Sequence, residues 1–458
     1  MVAAREGSSI PDTGALSVRD CDQYFVHLCA VSMQEQLVLA SADVHNQFGV
    51  LLLRKGTPLG SHALQRLSGH RLNRPVDELF TVRFAPEPEA LAREILSAAL
   101  AEPDLAAITR SQPIADRLAV LCATSGIPRP LLQKLTVLRR VLPRVHHRAL
   151  FTAWLATALA TNRTLPDAEA TLLLAAALLH DVGFLHLPPE LSDRRGDMAP
   201  EDWTTLRRHP LRSAELIAQS WPEAPDRLIR IVTEHHERHD GAGYPEGSPG
   251  GEQDPLSGII GLADMLHALR FDATDERVDN LAACLPFLRV NRRTWGIANY
   301  RPLARLLLDA RTADAGWDAT ALPSPQGLID ANRSLGTLLG LLPSARRALG
   351  ALGENRTARS LLQIFEELDT TASAAGLGAE TLTATLQQSL REGRTDPGLG
   401  DVALTIRESL WLVRRIDRQL RELLQQRAGT EEASQLRDLS LAVRFELTRA
   451  WRRFEHPQ

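Results

Sequence analysis

The sequence predicts a mainly α-helical protein with a small strand-containing unit at its N-terminus and a helical region at its C-terminus. Apolar residues recur at three- and four-residue steps along most of the chain, which is typical of amphipathic helices. Prolines followed by acidic residues mark several helix starts. Strand-like apolar runs are confined to the first ~85 residues. With 458 residues, the chain is long enough for two or three domains.

The N-terminal unit is predicted from the segment VLLLRKGTPL at 50–59. Its apolar run favours a strand, Lys55–Gly56 favours a turn, and the preceding DVHNQFG completes a small hairpin-containing unit. Proline-containing stretches at 85–90 and 322–327 mark two boundaries. We therefore predict an N-terminal domain with a β-hairpin (1–85), a helical connector (86–136), a helical-bundle domain (137–322) and a C-terminal helical region (323–458).

Helices are predicted in order by their start and stop signals. Pro166–Asp167 precedes a buried helix over Leu172–Leu179, and Pro210 breaks a helix that ends at His209. Further helices are expected from about Pro225 to Arg238 and from Ile259 to Leu269. Two amphipathic helices, Ile406–Leu423 and Leu436–Phe454, are expected to form an αα-hairpin joined at 428–430.

Composition excludes several classes of protein. The net charge of −4 gives no basic field for capturing DNA or a membrane surface. The four cysteines are widely separated, which fits reduced thiols in the cytoplasm better than disulfides: Cys21, Cys29, Cys122 and Cys284. No secretory signal is evident, and the most apolar run is shorter than a membrane span. We expect a cytoplasmic protein that neither binds DNA nor inserts into a membrane.

The strongest chemical signal is a cluster of histidines. Nine of the fourteen histidines lie between His146 and His267, several of them at predicted helix ends. Each histidine alone is more often structural than a ligand, and HD is a common dipeptide. Together, however, they form a nitrogen and oxygen ligand set that suits two divalent ions in a helical bundle. The candidate ligands are His147, His180, Asp181, His209, His235, His236 and Asp264.

The order of these residues resembles a known family. HDVG at 180–183, with His147 33 residues earlier, looks like an HD-superfamily metal-dependent phosphohydrolase. HP at 209–210 followed by HHERHDGAGYP at 235–245 is similar to the HD-GYP branch, the cyclic di-GMP phosphodiesterases of bacterial signalling. LADMLHAL at 262–269 resembles the segment with the last aspartate of the branch. The resemblance covers roughly residues 137–320.

The resemblance implies roles for the matching residues. One ion would take His147, His180, Asp181 and Asp264, and the other Asp181, His209, His235 and His236. Asp181, Glu237 and Asp240 are assigned to catalysis, the last two by orienting the ligating histidines. The substrate-binding loop would comprise Gly241, Gly243, Tyr244 and Pro245. The expected cofactors are two divalent ions, from among Fe, Mn, Ni and Zn.

The sequence departs from the family at the phosphate-binding positions. Phe184 stands where the family has a lysine, and the stretch 270–280 is acidic where the family is basic. Each missing charge-assisted contact to phosphate corresponds to ~1.5–3 kcal/mol of binding free energy. The metal ligands are nevertheless complete in the sequence.

Two functions therefore remain open. The first is a phosphodiesterase that cleaves cyclic di-GMP to pGpG or GMP with a metal-bound hydroxide. The alternative is a weakened or inactive HD-GYP signalling module that binds nucleotide or partner proteins. The C-terminal helices could support oligomerisation, although packing against their own domain is the stronger expectation. Hydrolysis of another phosphate ester is a third option, since the superfamily is broad.

Overall fold

The computed structural model describes residues 23–455 except for 36, 75, 193–198, 240, 242, 249–250, 273–279, 292–294, 312–324, 352–355, 393–396 and 427–430. Cys21, Asp240 and the predicted junctions at 322–324 and 428–430 lie outside the described residues. The described part is mainly helical, with four short strands near the N-terminus, so the predicted fold class is confirmed.

The N-terminal unit contains two small antiparallel sheets. Strand β1 pairs with β4, and β2 pairs with β3. The predicted hairpin is present as β2–β3, and its loop is closed by the Asn46 side chain, which accepts hydrogen bonds from the amides of Phe48 and Val50. Gly56 lies in the predicted turn with φ +80°, a left-handed conformation that favours glycine. The elements are α1 (Gln23–Glu35), β1 (Val38–Ala40), β2 (Val44–His45), β3 (Leu51–Leu53), α2 (Ser61–Leu67), α3 (Val76–Leu79) and β4 (Phe80–Val82).

Helices follow from residue 88 onward. The first group is α4 (Pro88–Leu100), α5 (Pro103–Ser111), α6 (Ile114–Thr124) and α7 (Arg129–Val141). The second group, which contains the candidate site, is α8 (Pro143–Asn162), α9 (Asp167–Leu179), α10 (Pro189–Ser192), α11 (Pro200–Leu206), α12 (His209–Ser220), α13 (Asp226–Glu234), α14 (Ser257–His267), α15 (Leu285–Val290) and α16 (Ile297–Arg311). Single turns of 3₁₀-helix follow α9 and precede α15, at Val182–His186 and Leu281–Cys284, and one π-turn, Ala268–Asp272, follows α14.

Two helix ends near the candidate site differ from the prediction. Pro210 lies in the first turn of α12 rather than between two helices, because proline is tolerated where no intrahelical N–H bond is needed. Helix α13 ends at Glu234, four residues before the predicted end at Arg238. This shorter helix leaves His235 and His236 just beyond the helix end.

The bundle around the site is held by buried apolar helices. Helix α8 packs against α9 and α14, while α13 packs against α9, α12 and α14. Among the described residues, one helical segment is long and apolar enough to match a membrane span. It is Asp167–His186, which comprises α9 and the 3₁₀ turn after it. Most of that window is buried inside the protein, which is typical of a core helix.

The C-terminal region forms its own helical bundle. Its helices are α17 (Pro325–Gly350), α18 (Arg356–Ala375), α19 (Glu380–Glu392), α20 (Pro397–Gln426) and α21 (Glu431–Glu455). Helices α20 and α21 pack together, and Asp417 contacts both Ser440 and Arg444, as expected for the antiparallel pair predicted. The apolar face of α21 also packs against α17.

Buried apolar side chains form two clusters. The first extends from Tyr24 to Leu307 and the second from Leu328 to Ala450. Helix α15 contacts α18 and α20 between them. The predicted boundary between residues 136 and 137 falls inside α7. The four-part division of the chain remains a prediction.

Candidate metal centre

Helix ends bring the candidate ligands to one place. His180 and Asp181 follow the last residue of α9, His209 begins α12, and His235 and His236 follow α13. Asp264 lies within α14, the helix that packs on both α8 and α13. Residues separated by more than eighty positions in the chain thus converge within the bundle.

One face of Asp181 is surrounded by three imidazoles, and we call these four residues the histidine side: Asp181, His209, His235 and His236. Their potential ligand atoms all lie within 4.8 Å of one another. The Nε2 atom of His209 is 3.3 Å from Nε2 of His235 and 3.1 Å from Nε2 of His236. Asp181 Oδ1 lies 3.2 Å from His209 Nε2 and 3.8 Å from His235 Nε2.

Backbone carbonyls fix which nitrogen of these rings faces the centre. The Nδ1 groups of His209 and His235 donate to the carbonyls of Leu206 and Val232, at 2.8 and 2.6 Å. A ring that donates from Nδ1 presents an unprotonated Nε2 when it is neutral, which is the form that binds metals. The Nε2 lone pairs of His209 and His235 converge beside the Asp181 carboxylate, and they repel one another unless a cation lies between them. The donor set therefore fits a metal ion.

Burial keeps two of the imidazoles, those of His235 and His236, in the ligand form. Burial, reinforced by the neighbouring histidines, lowers the pKa values of His235 and His236 well below the usual histidine range. Burial alone raises the pKa of Asp181, but His180 and His209 outweigh it, so the net pKa is well below the usual value. His235 and His236 are thus held as neutral imidazoles beside an ionised carboxylate. Asp181 Oδ1 is buried and forms no hydrogen bond with any described residue.

The other face of Asp181 is different. His180, Asp181 and Asp264 form a second group of potential ligands within 4.8 Å. The guanidinium of Arg148 lies against the same carboxylates: Nη1 is 3.4 Å from Asp181 Oδ2, Nε is 3.2 Å from Asp264 Oδ1, and Nη2 is 3.0 Å from Asp272 Oδ2. We call Arg148 and these three aspartates the arginine side.

The structure does not bring His147 to either group. Its Nδ1 instead lies 2.9 Å from Nε2 of His267, and its ring packs edge-on against Phe271. His267 in turn donates from Nδ1 to Asp272 at 3.2 Å. The predicted ligand role of His147 therefore does not match its placement, because the next residue of α8 is the one that faces the aspartates.

Two glycines allow the helices to approach closely enough to form the site. A Cβ on Gly183 would lie 2.4 Å from the carbonyl oxygen of His209, and the Gly183 amide donates to the Ser213 hydroxyl at 2.8 Å. A Cβ on Gly261 would lie 2.1 Å from the carbonyl oxygen of His235. Only glycine fits at such distances, so these residues set the positions of His209 and His235 relative to α9 and α14.

The glycine-rich loop after His236 is organised by Glu237. This buried carboxylate accepts hydrogen bonds from the amides of Glu246, Gly247 and Ser248 at 2.6–2.9 Å. Gly243 lies against the backbone, since a Cβ there would be 2.5 Å from the Arg238 nitrogen. Glu237 thus fixes the loop on the histidine side, as a positioning residue for the segment predicted to bind substrate.

Tyr244 packs directly on the histidine side. Its ring stacks on His236 with centroids 4.6 Å apart, and its amide donates to the His236 carbonyl at 3.2 Å. The peptide bond to Pro245 is cis. Burial, together with the Asp264 and Asp181 carboxylates, raises the pKa of Tyr244 well above its usual value, so the phenol is neutral. Arg207 lies 5.0 Å from the ring centroid.

Phe184, at the position where a lysine was expected, also contacts the site. Its buried ring stacks on His209 with centroids 4.5 Å apart and an interplanar angle of 26°. The aromatic ring thus covers one face of a candidate ligand. It contributes packing there and no charge.

Several site residues were not predicted from the sequence. Arg148 and Asp272 carried no motif, and Ser213 gave no signal beyond a common small polar residue on a helix. Asp240, assigned to catalysis from the sequence, lies outside the described residues.

Comparisons with known proteins find similar sequences for the region that contains this site. The model of the HD domain family matches residues 130–295. The cyclic di-GMP phosphodiesterase response regulator RpfG of Xanthomonas campestris is 31% identical over 28% of this chain and 34% of its own length. The 3'3'-cGAMP-specific phosphodiesterase 3 of Vibrio cholerae is 33% identical over 24% of each chain. The cyclic di-GMP phosphodiesterase of Thermotoga maritima is 30% identical over 25% of this chain and 32% of its own length.

The matches define the class of the domain. Residues 130–295 match the HD domain family, and the HDVG and HHERHDGAGYP motifs within them resemble the HD-GYP type. It spans about a third or less of the length of these three curated relatives. A solved structure, the HDG"Y"P protein Bd1817 from Bdellovibrio bacteriovorus, covers 59% of this chain and 95% of its own at 18% identity, with a TM-score of 0.32.

Proposed function

We propose that the chain is a metal-dependent phosphodiesterase that hydrolyses a cyclic dinucleotide, cyclic di-GMP in the first place, to pGpG or GMP. The observation that carries the proposal is the convergence of three imidazole Nε2 atoms on the Asp181 carboxylate. The supporting observation is similarity to proteins named for hydrolysis of cyclic di-GMP and 3'3'-cGAMP. Both names describe cyclic dinucleotides, so the shared chemistry is a phosphodiester.

The residues of the chain have distinct proposed roles. Asp181, His209, His235 and His236 would hold the metal, and their nitrogen and oxygen atoms suit Fe, Mn, Ni or Zn. A divalent ion bound there would supply the positive charge that polarises a phosphodiester and the activated water needed for its hydrolysis. Asp181 is the central ligand, because its carboxylate lies between the histidine side and the arginine side.

The substrate is proposed to lie beside the Glu237-organised loop. Tyr244 presents a neutral aromatic ring there that can stack on a base, and Arg207 next to it can contact a phosphate. Gly241 and Gly243 allow the backbone to turn tightly, with Gly241 at φ +71°. The roles of Pro245 and Asp240 in binding and catalysis remain part of the proposal.

The test is turnover by the full chain. Protein loaded separately with Mn²⁺, Fe²⁺, Ni²⁺ or Zn²⁺ is incubated with cyclic di-GMP and with 3'3'-cGAMP, and products are separated by chromatography. We expect pGpG or GMP from cyclic di-GMP with at least one metal, and none from the His209→Ala variant. Intact substrate with every metal would refute the enzyme.

A second candidate is a weakened or inactive HD-GYP module that binds nucleotide or partner proteins. The observation that favours it is Phe184, which stacks on His209 and offers no cation to a phosphate. Binding of cyclic di-GMP by calorimetry without any product would support this module over the enzyme. A wider panel of phosphate esters would separate both from hydrolysis of a different substrate.

We also propose a cytoplasmic location for the protein. Cys122 and Cys284 are buried thiols, which is compatible with a reducing cytoplasm.

Leu441 and Phe445 on α21 are exposed, so the C-terminal helices could pair with another helix or a second chain. Light scattering of the purified protein would test this oligomerisation.

A further inference from the structure

We propose that the Arg148 guanidinium takes the place of a second metal ion, so that this HD domain holds a single divalent ion on the histidine side. The inference rests on the metal centre proposed above and concerns how many ions that centre takes. Its basis is the set of contacts on the arginine side, where one cation already lies among Asp181, Asp264 and Asp272.

The first argument is geometric. The three nitrogens of Arg148 lie 3.0–3.4 Å from oxygens of three different aspartates. A second ion bound by His180, Asp181 and Asp264 would have to lie among the same oxygens. The guanidinium and such an ion would compete for the same space and the same lone pairs.

The second argument concerns charge. Asp181, Asp264 and Asp272 supply three negative charges, and Arg148 and Arg144 supply two positive ones, with Arg144 2.7 Å from Asp272. With all three aspartates ionised, the described group has one net negative charge, which a single divalent ion already over-compensates. A second divalent ion would add uncompensated positive charge in a buried site, which is costly.

The third argument is that the arginine is held firmly. An arginine side chain is always charged and matches several carboxylates at once. The Arg148 side chain is only 18% exposed. If it turned away, three carboxylates would lose their contact with this cation. His147 cannot replace it as a ligand, because α8 points it toward His267 instead.

The experiment counts ions in the full chain. Protein is loaded with Mn²⁺, excess ion is removed by gel filtration, and manganese is measured by elemental analysis against protein concentration. We expect a single ion per wild-type chain. The Arg148→Met variant, which is similar in length and uncharged, should gain a second ion, whereas Arg148→Lys should keep one.

Two further variants decide the question even where Arg148→Met does not fold. His147→Ala and Asp264→Asn should both keep the single ion, because neither residue belongs to the histidine side. Loss of the ion in either variant would overturn the inference. So would two ions in the wild-type chain, or a single ion in a folded Arg148→Met protein.

The count also separates this inference from the proposed function. A wild-type chain that binds no manganese after loading contradicts the metal centre itself and with it the enzyme. Two bound ions contradict only the role of Arg148. Turnover is not needed for either result.

Discussion

The two faces of Asp181 carry opposite chemistry. On the histidine side, three imidazole nitrogens converge beside the carboxylate, and among the described residues no arginine or lysine lies between them. On the arginine side, a permanent cation already lies among three carboxylates. The difference teaches that a complete set of ligand residues in the sequence does not fix the number of ions, because a neighbouring side chain can occupy one position.

Removing the carboxylate shared by both sides should have the largest effect. In Asp181→Ala, the histidine side loses its central oxygen donor and its only negative charge. We expect bound metal and phosphodiesterase activity to fall to background, since the remaining imidazoles cannot neutralise a divalent ion. Elemental analysis and product chromatography on the same preparation measure both.

A matched control keeps this result specific. Asp167→Ala removes a carboxylate whose side chain is 76% exposed at the start of α9, and it should leave metal content and turnover unchanged. Normal metal occupancy in Asp181→Ala would show that the ion does not depend on the shared carboxylate, and the comparison between the two faces would then fail.

A change at Glu237 should affect the histidine side alone. The Glu237 carboxylate accepts hydrogen bonds from three backbone N–H groups, and in Glu237→Gln the amide NH₂ would face some of these donors. The loop that carries Tyr244 would then lose part of its anchor. We expect turnover to fall by about 10–100-fold, the usual range for a residue that orients a metal site, while one ion remains bound. Steady-state kinetics and metal analysis together distinguish these effects.

Glu246→Gln is the control for this loop. Glu246 is exposed, and it contributes to the Glu237 contacts through its backbone amide, which the substitution retains. Its kinetics should match the wild type. Equal losses in both variants would mean that loop charge, rather than the Glu237 anchor, controls turnover.

The contact that joins the two sides can be tested by stability. Gly261 of α14 lies against the His235 carbonyl, so in Gly261→Ala the added Cβ must push apart the helix that carries Asp264 and the turn that carries His235. We expect a loss of about 1–3 kcal/mol in the free energy of unfolding. Urea denaturation followed by circular dichroism measures it.

The paired variant lies in the C-terminal bundle. Gly340 is inside α17, and a Cβ there would meet no atom within 4 Å. Gly340→Ala should therefore stabilise the protein by about 0.5–1 kcal/mol, because alanine favours a helix interior. A destabilised Gly340→Ala together with a neutral Gly261→Ala would contradict the packing described.

The sequence predicted much of this arrangement and missed a specific part of it. The helix end at His180 and the helix boundary at His209 follow from local signals, namely prolines, acidic first turns and apolar periodicity. The end of α13 at Glu234 was not predicted, since its apolar pattern favoured a helix up to Arg238. The HD-GYP resemblance then supplied the histidine side residue by residue. These features are local in the chain, and local patterns are what a single sequence contains.

The arginine side could not be predicted because it depends on rotation of α8. Residues 149–160 of this helix are all buried, so no polar face reveals which way His147 or Arg148 points. The contacts of Glu237 were also hidden, since its partners are backbone amides that have no signature in the sequence. The two glycine contacts likewise depend on helix packing.

Acidification should reduce the stability of the metal-free protein. The pKa of His267 is lowered to about 4 by burial, and those of His235 and His236 also lie well below the usual value. For a histidine with a lowered folded-state pKa, stability is fully present above the unfolded pKa of about 6.5 and is lost as the pH falls toward the folded pKa. His180 and Asp264, whose pKa values are raised, oppose this trend.

The histidines with a lowered pKa outnumber these two groups with a raised pKa. Burial also lowers the pKa values of His146 and His147, that of His146 to about 4. We therefore expect the melting temperature of the metal-free protein to fall between pH 6.5 and 4. Bound Mn²⁺ should raise it at pH 7 and lose this effect on acidification, because protons compete for the imidazoles. Differential scanning fluorimetry at each pH, with and without Mn²⁺, measures both, and His62→Gln at an exposed site is the control. If the increase in melting temperature caused by Mn²⁺ does not become smaller on acidification, the ion does not bind at the histidine side.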